Sequence, residues 1–175
     1  MSQLTSAVAA VVTDAAGRVL LCQQSQGHRF WGLPGGKIRS TESPIQAVIR
    51  DVREETGMEP EIVDLVGIYQ LTGDGCGENL PDVLMHVFRA TASAAEATVN
   101  SPGRICALAW HDPAALPQPT TATTRIAIAD VVAGRSGVLR DVQRDREPEI
   151  PEATDGPFEP ARPAHNGALV AAGPG

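Results

Sequence analysis

The alternation of apolar and polar positions predicts a sheet with two helices packed on it. Apolar runs at residues 7–13 and 18–24 flank the turn sequence DAAG and predict a hairpin of two strands. Further apolar runs at residues 61–71, 83–92 and 105–111 predict three more strands. Together with two helical stretches among them, these strands predict an α/β fold with a mixed β-sheet and helices on both faces.

The first helix has a start and a stop signal in the sequence. Ser43 is suited to cap its N-terminus, Pro44 to occupy its first turn, and Gly57 to end it. A second helix is predicted at about residues 121–133. The buried face of the first helix is expected to consist of the positions that cluster at 100° per residue: Ile45, Val48, Ile49, Val52 and Thr56.

The first helix also carries three carboxylates within five positions, Asp51, Glu54 and Glu55. They lie within an arc of about 100°, and Glu55 borders the apolar stripe, so its side chain is expected to be partly buried. Asp51 and Glu55 are four residues apart, where like charges destabilise a helix by roughly 0.2–0.5 kcal/mol. No Lys or Arg shares the arc, so a divalent cation, Mg²⁺ or Mn²⁺, would relieve the repulsion.

Length, charge and cysteine content narrow the class of protein. The 175 residues suit one domain, predicted at residues 1–140, followed by a Pro/Ala-rich tail at residues 141–175 that is expected to be flexible or extended. The net charge of −7 argues against binding of duplex nucleic acid. No apolar run approaches the roughly 20 residues of a membrane span. Three widely spaced cysteines fit a reducing, cytoplasmic setting.

The segment GGKIRSTESPIQAVIRDVREETGM resembles the Nudix box, written GX5EX7REUXEEXGU with U an aliphatic residue. Gly36 begins the pattern, Glu42 follows after five residues, and the run from Arg50 to Met58 completes it, with Asp51 standing where the family has Glu. The preceding WGLPGG and the order of elements over residues 4–134 are also similar to the family. The resemblance implies an α/β/α sandwich in which the box forms a loop–helix–loop.

The resemblance also implies an activity, which is hydrolysis of a pyrophosphate bond in a nucleoside diphosphate linked to another moiety. Such a substrate is a small molecule, and the cofactor would be Mg²⁺, with Mn²⁺ as a second option. The implied metal ligands are the carbonyl of Gly35 and the carboxylates of Asp51, Glu54 and Glu55. Asp51 and Glu54 are also the catalytic candidates for the general base.

Two further positions of the box have an implied structural role. Glu42 and Arg50 would form an ion pair that fixes the loop on the helix. Asp51 departs from the box, because its side chain is one methylene shorter than that of Glu and reaches of order 1.5 Å less far. Exchanging Asp51 for Glu is therefore expected to raise the rate.

Two more departures concern the substrate and the base. Gln23 and Gln24 stand where many family members carry an Arg that holds phosphate. The substrate-binding candidates are charged or aromatic residues near the box: Arg29, Trp31, Lys37, Arg39 and Tyr69. Where family members often have an acid before the strand at residues 105–111, this chain offers the uncharged or basic residues Asn100, Ser101 and Arg104, with Glu78 and Glu96 in adjoining loops.

These departures leave alternatives open. The chain could be a catalytically weak or inactive Nudix-fold module that binds nucleotides. It could also be an interaction domain in which the three acids form a solvated helix face. The specific substrate and the oligomeric state, including a homodimer, stay open at this point.

Overall fold

A computed structural model describes residues 4–74, 80–92 and 97–145 of the chain. Cys76, Glu78, Glu96 and residues 146–175 of the predicted tail lie outside these ranges. The described residues form these elements in chain order: β1 (Thr5–Thr13), β2 (Val19–Gln24), β3 (Trp31–Gly32), β4 (Gly35–Lys37), α1 (Pro44–Thr56), β5 (Pro60–Thr72), β6 (Val83–Ala92), β7 (Ile105–His111), α2 (Ala122–Val132) and β8 (Val138–Gln143). Within them, no helix has the length and apolar character needed to cross a membrane.

The strands form one mixed sheet built around β1. Strand β1 runs parallel to β6 and antiparallel to β4, and β6 continues to β5 and β8. Strand β2 meets β1 at the hairpin and pairs antiparallel with β3 and β7. The predicted mixed sheet is confirmed. The unpredicted β8 crosses the expected domain boundary at residue 140, so residues 141–143 belong to the sheet.

The central strand is buried on both faces, and its alternating side chains contribute to two cores. Val8, Ala10 and Val12 pack with the apolar residues of α1. Ala9 and Val11 pack on the other side, with the apolar residues of α2. Because successive side chains of a strand point to opposite faces, β1 separates two helical layers. This arrangement is the predicted α/β/α sandwich.

Helix α1 begins and ends where the sequence indicates. The Ser43 hydroxyl accepts a hydrogen bond from the backbone N–H of Gln46, whose side chain accepts one from Ser43 in return. Gly57 ends the helix in the left-handed conformation. The expected burial of Ile45 is wrong, since this residue is 51% exposed. Its place in the buried stripe is taken by Ala47 and by the acids on the same side of the helix.

Candidate active site

Gly35 and Gly36, the second of which begins the box, bring backbone atoms into contact with the centre of the sheet and with α1. A Cβ atom on Gly35 would lie 2.1 Å from the carbonyl oxygen of Val8, so no side chain fits there. A Cβ atom on Gly36 would lie 3.1 Å from Oδ2 of Asp51. The Gly-Gly sequence therefore places its backbone directly beside the acid cluster, the name used below for Asp51, Glu54 and Glu55.

Asp51 is buried, and its two carboxylate oxygens differ in their contacts. Oδ1 accepts a hydrogen bond from Nη1 of Arg50 at 2.6 Å. Oδ2 is buried and has no hydrogen-bond partner among the described residues. Burial raises the pKa of Asp51, and the neighbouring Arg50 guanidinium partly offsets this effect. The Asp51 carboxylate is thus half satisfied and presents a bare oxygen toward Gly36.

Glu55 is more deeply buried than the partial burial expected from its place at the edge of the apolar stripe. Its Oε2 accepts a hydrogen bond from the backbone N–H of Gly35 at 2.9 Å. Its Oε1 accepts one from Nη2 of Arg104, also at 2.9 Å. Burial nevertheless raises the pKa of Glu55 to about 7, because these two donors only partly compensate the lost hydration.

Glu54 is the exposed member of the acid cluster. Its side chain is 42% exposed, and it contacts Nη2 of Arg39 at 3.4 Å and Nη1 of Arg50 at 3.5 Å. The expectation concerned only the arc of the helix, and arginines from outside that arc do neutralise the acids. Side chains from the adjacent helix position and from two loops reach the cluster, although none of them shares its arc.

Glu42 and Arg50 form an ion pair at the base of the loop between β4 and α1. Nη2 of Arg50 donates to Oε2 of Glu42 at 2.9 Å and to the backbone carbonyl of Lys37 at 3.2 Å. These hydrogen bonds lower the pKa of Glu42 to about 2. Arg50 thereby connects the loop and the acid cluster, because its other nitrogen contacts Asp51 and Glu54.

The segment before β7 supplies no acid in the described residues and instead caps the C-terminus of α1. The backbone N–H of Thr98 donates to the carbonyl of Thr56 at 2.9 Å, and the backbone N–H of Asn100 donates to the backbone carbonyl of Glu55 at 3.3 Å. The Ser101 hydroxyl donates to the carbonyl of Glu54 at 2.8 Å. These bonds satisfy helix carbonyls that have no partner inside α1. They also fix the loop that carries Arg104 beside the acid cluster.

A cavity of about 370 Å³ opens next to Gly35 and Glu55. The residues that line it come from β2 and the loop after it, from the segment that runs from β3 to β4, from α1, and from the loop that leads into β7 with the first residue of that strand: Cys22, Gln24, Ser25, Gln26, Gly32, Leu33, Gly35, Glu55, Gly103, Arg104 and Ile105. The lining is more polar than apolar, and Arg104 is the cation among these residues. This cavity is the candidate substrate site.

The predicted substrate-binding residues do not line the cavity. Arg29 donates through Nη2 to Sγ of Cys106 at 3.2 Å, outside the lining. Trp31 packs edge-on against His111, with ring centroids 5.1 Å apart. Lys37 is exposed in β4 and contributes its carbonyl to Arg50. Tyr69 cannot stack on a base, because it is fully buried and donates its hydroxyl to Asp130 at 2.8 Å.

The donor set suits a divalent cation, although the carboxylates here are held by arginines. Among the described residues, no group of three or more His, Cys, Asp or Glu side chains is arranged to hold a metal ion. The unpartnered Oδ2 of Asp51 nevertheless lies beside Gly36, 3.1 Å from the point where a Cβ would be. Carboxylate and carbonyl oxygens are the ligands that Mg²⁺ and Mn²⁺ prefer. The residues therefore fit such an ion.

Comparison with known proteins identifies the family. The family model for the NUDIX domain matches residues 3–131, which is most of the chain. A MutT-like protein of Streptomyces ambofaciens is 30% identical over 133 residues, covering 76% of this chain and 80% of that protein. The chain belongs to the NUDIX family. The prediction of a Nudix hydrolase is confirmed, and the non-catalytic alternatives receive no support from these relatives.

Solved structures and further relatives agree with this assignment. The crystal structure of a MutT NUDIX hydrolase from Burkholderia pseudomallei has a TM-score of 0.66 and 34% identity, covering 74% of this chain and 98% of that one. A CTP pyrophosphohydrolase of Escherichia coli is 36% identical over 66 residues, and an RNA pyrophosphohydrolase of Teredinibacter turnerae is 35% identical over 63 residues. These two matches cover 49% and 37% of those proteins, respectively.

Proposed function

We propose that this protein hydrolyses a pyrophosphate bond in a small nucleotide derivative with the help of a divalent cation, Mg²⁺ or Mn²⁺. The observation that carries the proposal is the buried, unpartnered Oδ2 of Asp51 beside Gly36. A buried carboxylate oxygen without a donor is costly, and a cation would remove that cost. Membership in the NUDIX family and the pyrophosphohydrolases among the relatives support the reaction class.

The ion would be held by Asp51 and Glu55 of the acid cluster together with the carbonyl of Gly35. Both acids are buried; Gly35 donates its N–H to Glu55, and the next residue, Gly36, lies beside Asp51. A bound divalent cation supplies charge neutralisation for phosphate oxygens and lowers the pKa of a bound water. The ion pair between Glu42 and Arg50 keeps the loop in register with α1.

Glu54 is our candidate for the general base. Its carboxylate is the most exposed of the acid cluster, so an attacking water can reach it. Its two guanidinium contacts are long, at 3.4 Å and 3.5 Å, and leave its oxygens available to accept a proton. The substrate would lie in the 370 Å³ cavity, where Gly35 and Glu55 form one wall. There the enzyme positions the pyrophosphate against the water and stabilises the developing charge.

A substrate panel tests the proposal. CTP, a 5′-triphosphorylated RNA, ADP-ribose, a UDP-sugar and a dinucleoside polyphosphate would each be incubated with Mg²⁺, with Mn²⁺ or with EDTA. We expect hydrolysis of at least one compound with either metal and none with EDTA. Reaction in ¹⁸O-labelled water, followed by mass spectrometry, identifies the phosphorus that is attacked.

The control for the panel is Glu55→Gln, which keeps the size of the side chain and removes its charge. If the unaltered protein kept its activity in EDTA, and Glu55→Gln were as active as the unaltered protein, the acid cluster would not be the active site. Hydrolysis by neither protein, with nucleotide binding intact, would support the inactive nucleotide-binding module instead.

A further inference from the structure

Arg104 occupies the place of a cation among the oxygens of the acid cluster. Its Nη2 donates to Oε1 of Glu55 at 2.9 Å and to the carbonyl of Gly35 at 3.5 Å. The same nitrogen lies 3.3 Å from the point where a Cβ on Gly36 would stand, and Oδ2 of Asp51 lies 3.1 Å from that point. The guanidinium therefore lies near three of the oxygen groups that would bind a divalent ion.

Hydrogen bonds hold the backbone of Arg104, whereas its side chain is about half exposed to solvent. Its N–H donates to the carbonyl of Ser101 at 3.0 Å, and its carbonyl accepts from the N–H of Ser25 at 2.9 Å. The Ser25 hydroxyl also donates to the neighbouring carbonyl of Gly103 at 2.7 Å. The side chain itself is 54% exposed and borders the cavity. A guanidinium that leaves Glu55 can therefore enter the cavity without movement of the loop.

We propose that Arg104 is an exchangeable counter-ion of this site. In the metal-free protein it neutralises Glu55, and in the metal-bound protein it is displaced and binds a phosphate of the substrate in the cavity. This inference rests on the proposed metal-dependent function. A divalent ion attracts the carboxylates more strongly than a guanidinium does, and two cations repel each other at the same oxygens.

The cavity provides a reason for the displaced Arg104 to bind a phosphate of the substrate. Arg104 is the cation among the lining residues, and a substrate with a pyrophosphate needs positive charge there. Gln23 and Gln24 do not provide it at the end of β2. The planar donors of a guanidinium match phosphate oxygens well. A single arginine thus serves as counter-ion of Glu55 before metal binding and as phosphate ligand after it.

Metal affinity without substrate tests the counter-ion role. Binding of Mn²⁺ to the full chain would be measured by electron paramagnetic resonance for Arg104→Gln and for the control Arg18→Gln. Arg18 also pairs with a carboxylate, and its side chain is likewise 54% exposed, but it lies on the turn between β1 and β2. We expect Arg104→Gln to lower the Kd for Mn²⁺ by about three- to tenfold. The control should stay within about twofold.

Inorganic pyrophosphate tests the phosphate-binding role. At saturating Mg²⁺, calorimetry should show that Arg104→Gln raises the Kd of pyrophosphate by about tenfold, a size typical of one charge-assisted pair. Arg104→Lys keeps the positive charge and should restore both affinities to within about threefold. Tighter Mn²⁺ binding with unchanged pyrophosphate binding would overturn the phosphate-binding half of the inference.

A measurement on the unaltered chain covers the case in which Arg104→Gln fails to fold. The Nε–H signal of Arg104 in an NMR spectrum, assigned with Arg104→Lys, should shift when Mg²⁺ is added. A signal that does not move at saturating Mg²⁺ would overturn the exchange, as would an Mn²⁺ affinity unchanged in Arg104→Gln. Absence of any Mn²⁺ binding in the unaltered chain would overturn the proposed function as well.

Discussion

Buried carboxylates on the two faces of the sheet differ in how fully their oxygens are hydrogen-bonded. On α2, Asp130 accepts hydrogen bonds from Tyr69 at 2.8 Å, from Arg135 at 2.9 Å, and from Arg140 at 2.6 Å and 3.0 Å. We call these four residues the Asp130 cluster. On α1, Asp51 accepts one hydrogen bond through Oδ1, and its Oδ2 has no partner among the described residues.

The pKa of Asp130 is lowered, whereas the pKa values of Asp51 and Glu55 are raised. Hydrogen bonds from Arg140, Arg135 and Tyr69 hold the pKa of Asp130 well below its usual value. Burial raises the pKa of Asp51 and brings that of Glu55 to about 7. Hydrogen bonds from the arginines outweigh the loss of hydration at Asp130, whereas the loss of hydration outweighs the hydrogen bonds at Asp51 and Glu55. The hydrogen bonds of the Asp130 cluster occupy both oxygens of its carboxylate, whereas the acid cluster keeps one oxygen, Oδ2 of Asp51, without a donor among the described residues.

The largest expected effect is on catalysis by the acid cluster. Glu54→Gln removes the proposed base and should lower kcat by about 10²- to 10⁴-fold. The fold should be preserved, because Glu54 is exposed at the helix surface. The measurement is steady-state hydrolysis of whichever panel compound the unaltered protein cleaves.

Glu59→Gln is the matched control for this change. Glu59 pairs with Arg53 at the surface, beyond the end of α1. Its substitution should leave kcat within about twofold. A kcat for Glu54→Gln within tenfold of the unaltered value would exclude Glu54 as the base and direct attention to Asp51.

The next effect is on stability and separates the two groups of carboxylates directly. Asp130→Asn leaves two arginines and Tyr69 without their common partner, and should lower the free energy of unfolding by about 3 kcal/mol. Asp51→Asn should change it by less than about 1 kcal/mol, because an ionised Asp51 is poorly satisfied already. Urea denaturation at pH 7 in EDTA measures both. Equal losses for the two variants would contradict the comparison.

The third effect is a dependence of stability on pH in the metal-free protein. The folded pKa of Glu55, about 7, lies above its ordinary value of 4.5. Between these values the folded chain holds a proton that the unfolded chain has lost, so stability falls as the pH rises through this window. The loss from Glu55 should be about 3 kcal/mol and should level off above pH 7.

Glu55→Gln isolates this contribution. In EDTA, the variant should lose the part of the decline between pH 4.5 and pH 7 that comes from Glu55 and keep the part that comes from Asp51, whose pKa is also raised. Glu42 does not interfere, because its lowered pKa of about 2 acts only below its ordinary value of 4.5, and with the opposite sign. Mg²⁺ should restore stability above pH 7 in the unaltered chain alone. Identical pH profiles for both proteins would exclude Glu55 as the cause.

The sequence was sufficient where the determinants are local. The bounds of α1 follow from Ser43, Pro44 and Gly57, and its cap forms as predicted. The ion pair between Glu42 and Arg50 spans only eight residues. The spacing of the Nudix box also brings three carboxylates to one region of the helix, as the geometry of 3.6 residues per turn requires.

The sequence was insufficient where contacts join distant parts of the chain. Arg104 reaches Glu55 from 49 positions away, and nothing in the pattern around it indicates this contact. Strand β8 was missed because its side chains give little apolar signal: Leu139 is 80% exposed, and Val142 is the one fully buried residue of the strand. Its pairing with β5 is set by the tertiary fold rather than by local preference.

The smallest expected effect concerns the departure from the Nudix box itself. Asp51→Glu should raise kcat by less than tenfold, although the longer side chain restores the family residue. Oδ2 of Asp51 already lies 3.1 Å from the point that a Cβ on Gly36 would occupy, so an added methylene has little free space. Packing it into this buried position costs about 1–3 kcal/mol and offsets the gain in reach. Thermal unfolding should accordingly show a lower Tm for the variant.

Glu55→Asp provides the reverse change at the neighbouring buried acid. Shortening Glu55 withdraws its oxygens from the Gly35 N–H and from Arg104, both now at 2.9 Å, and should lower kcat. If Asp51→Glu instead raised kcat by a hundredfold without loss of Tm, the short reach of Asp51 would be what limits the reaction. The unpartnered oxygen beside Gly36 would then result from Asp51 standing where the Nudix box has Glu. The contrast with the Asp130 cluster would reflect the length of the Asp51 side chain rather than a binding site for a cation.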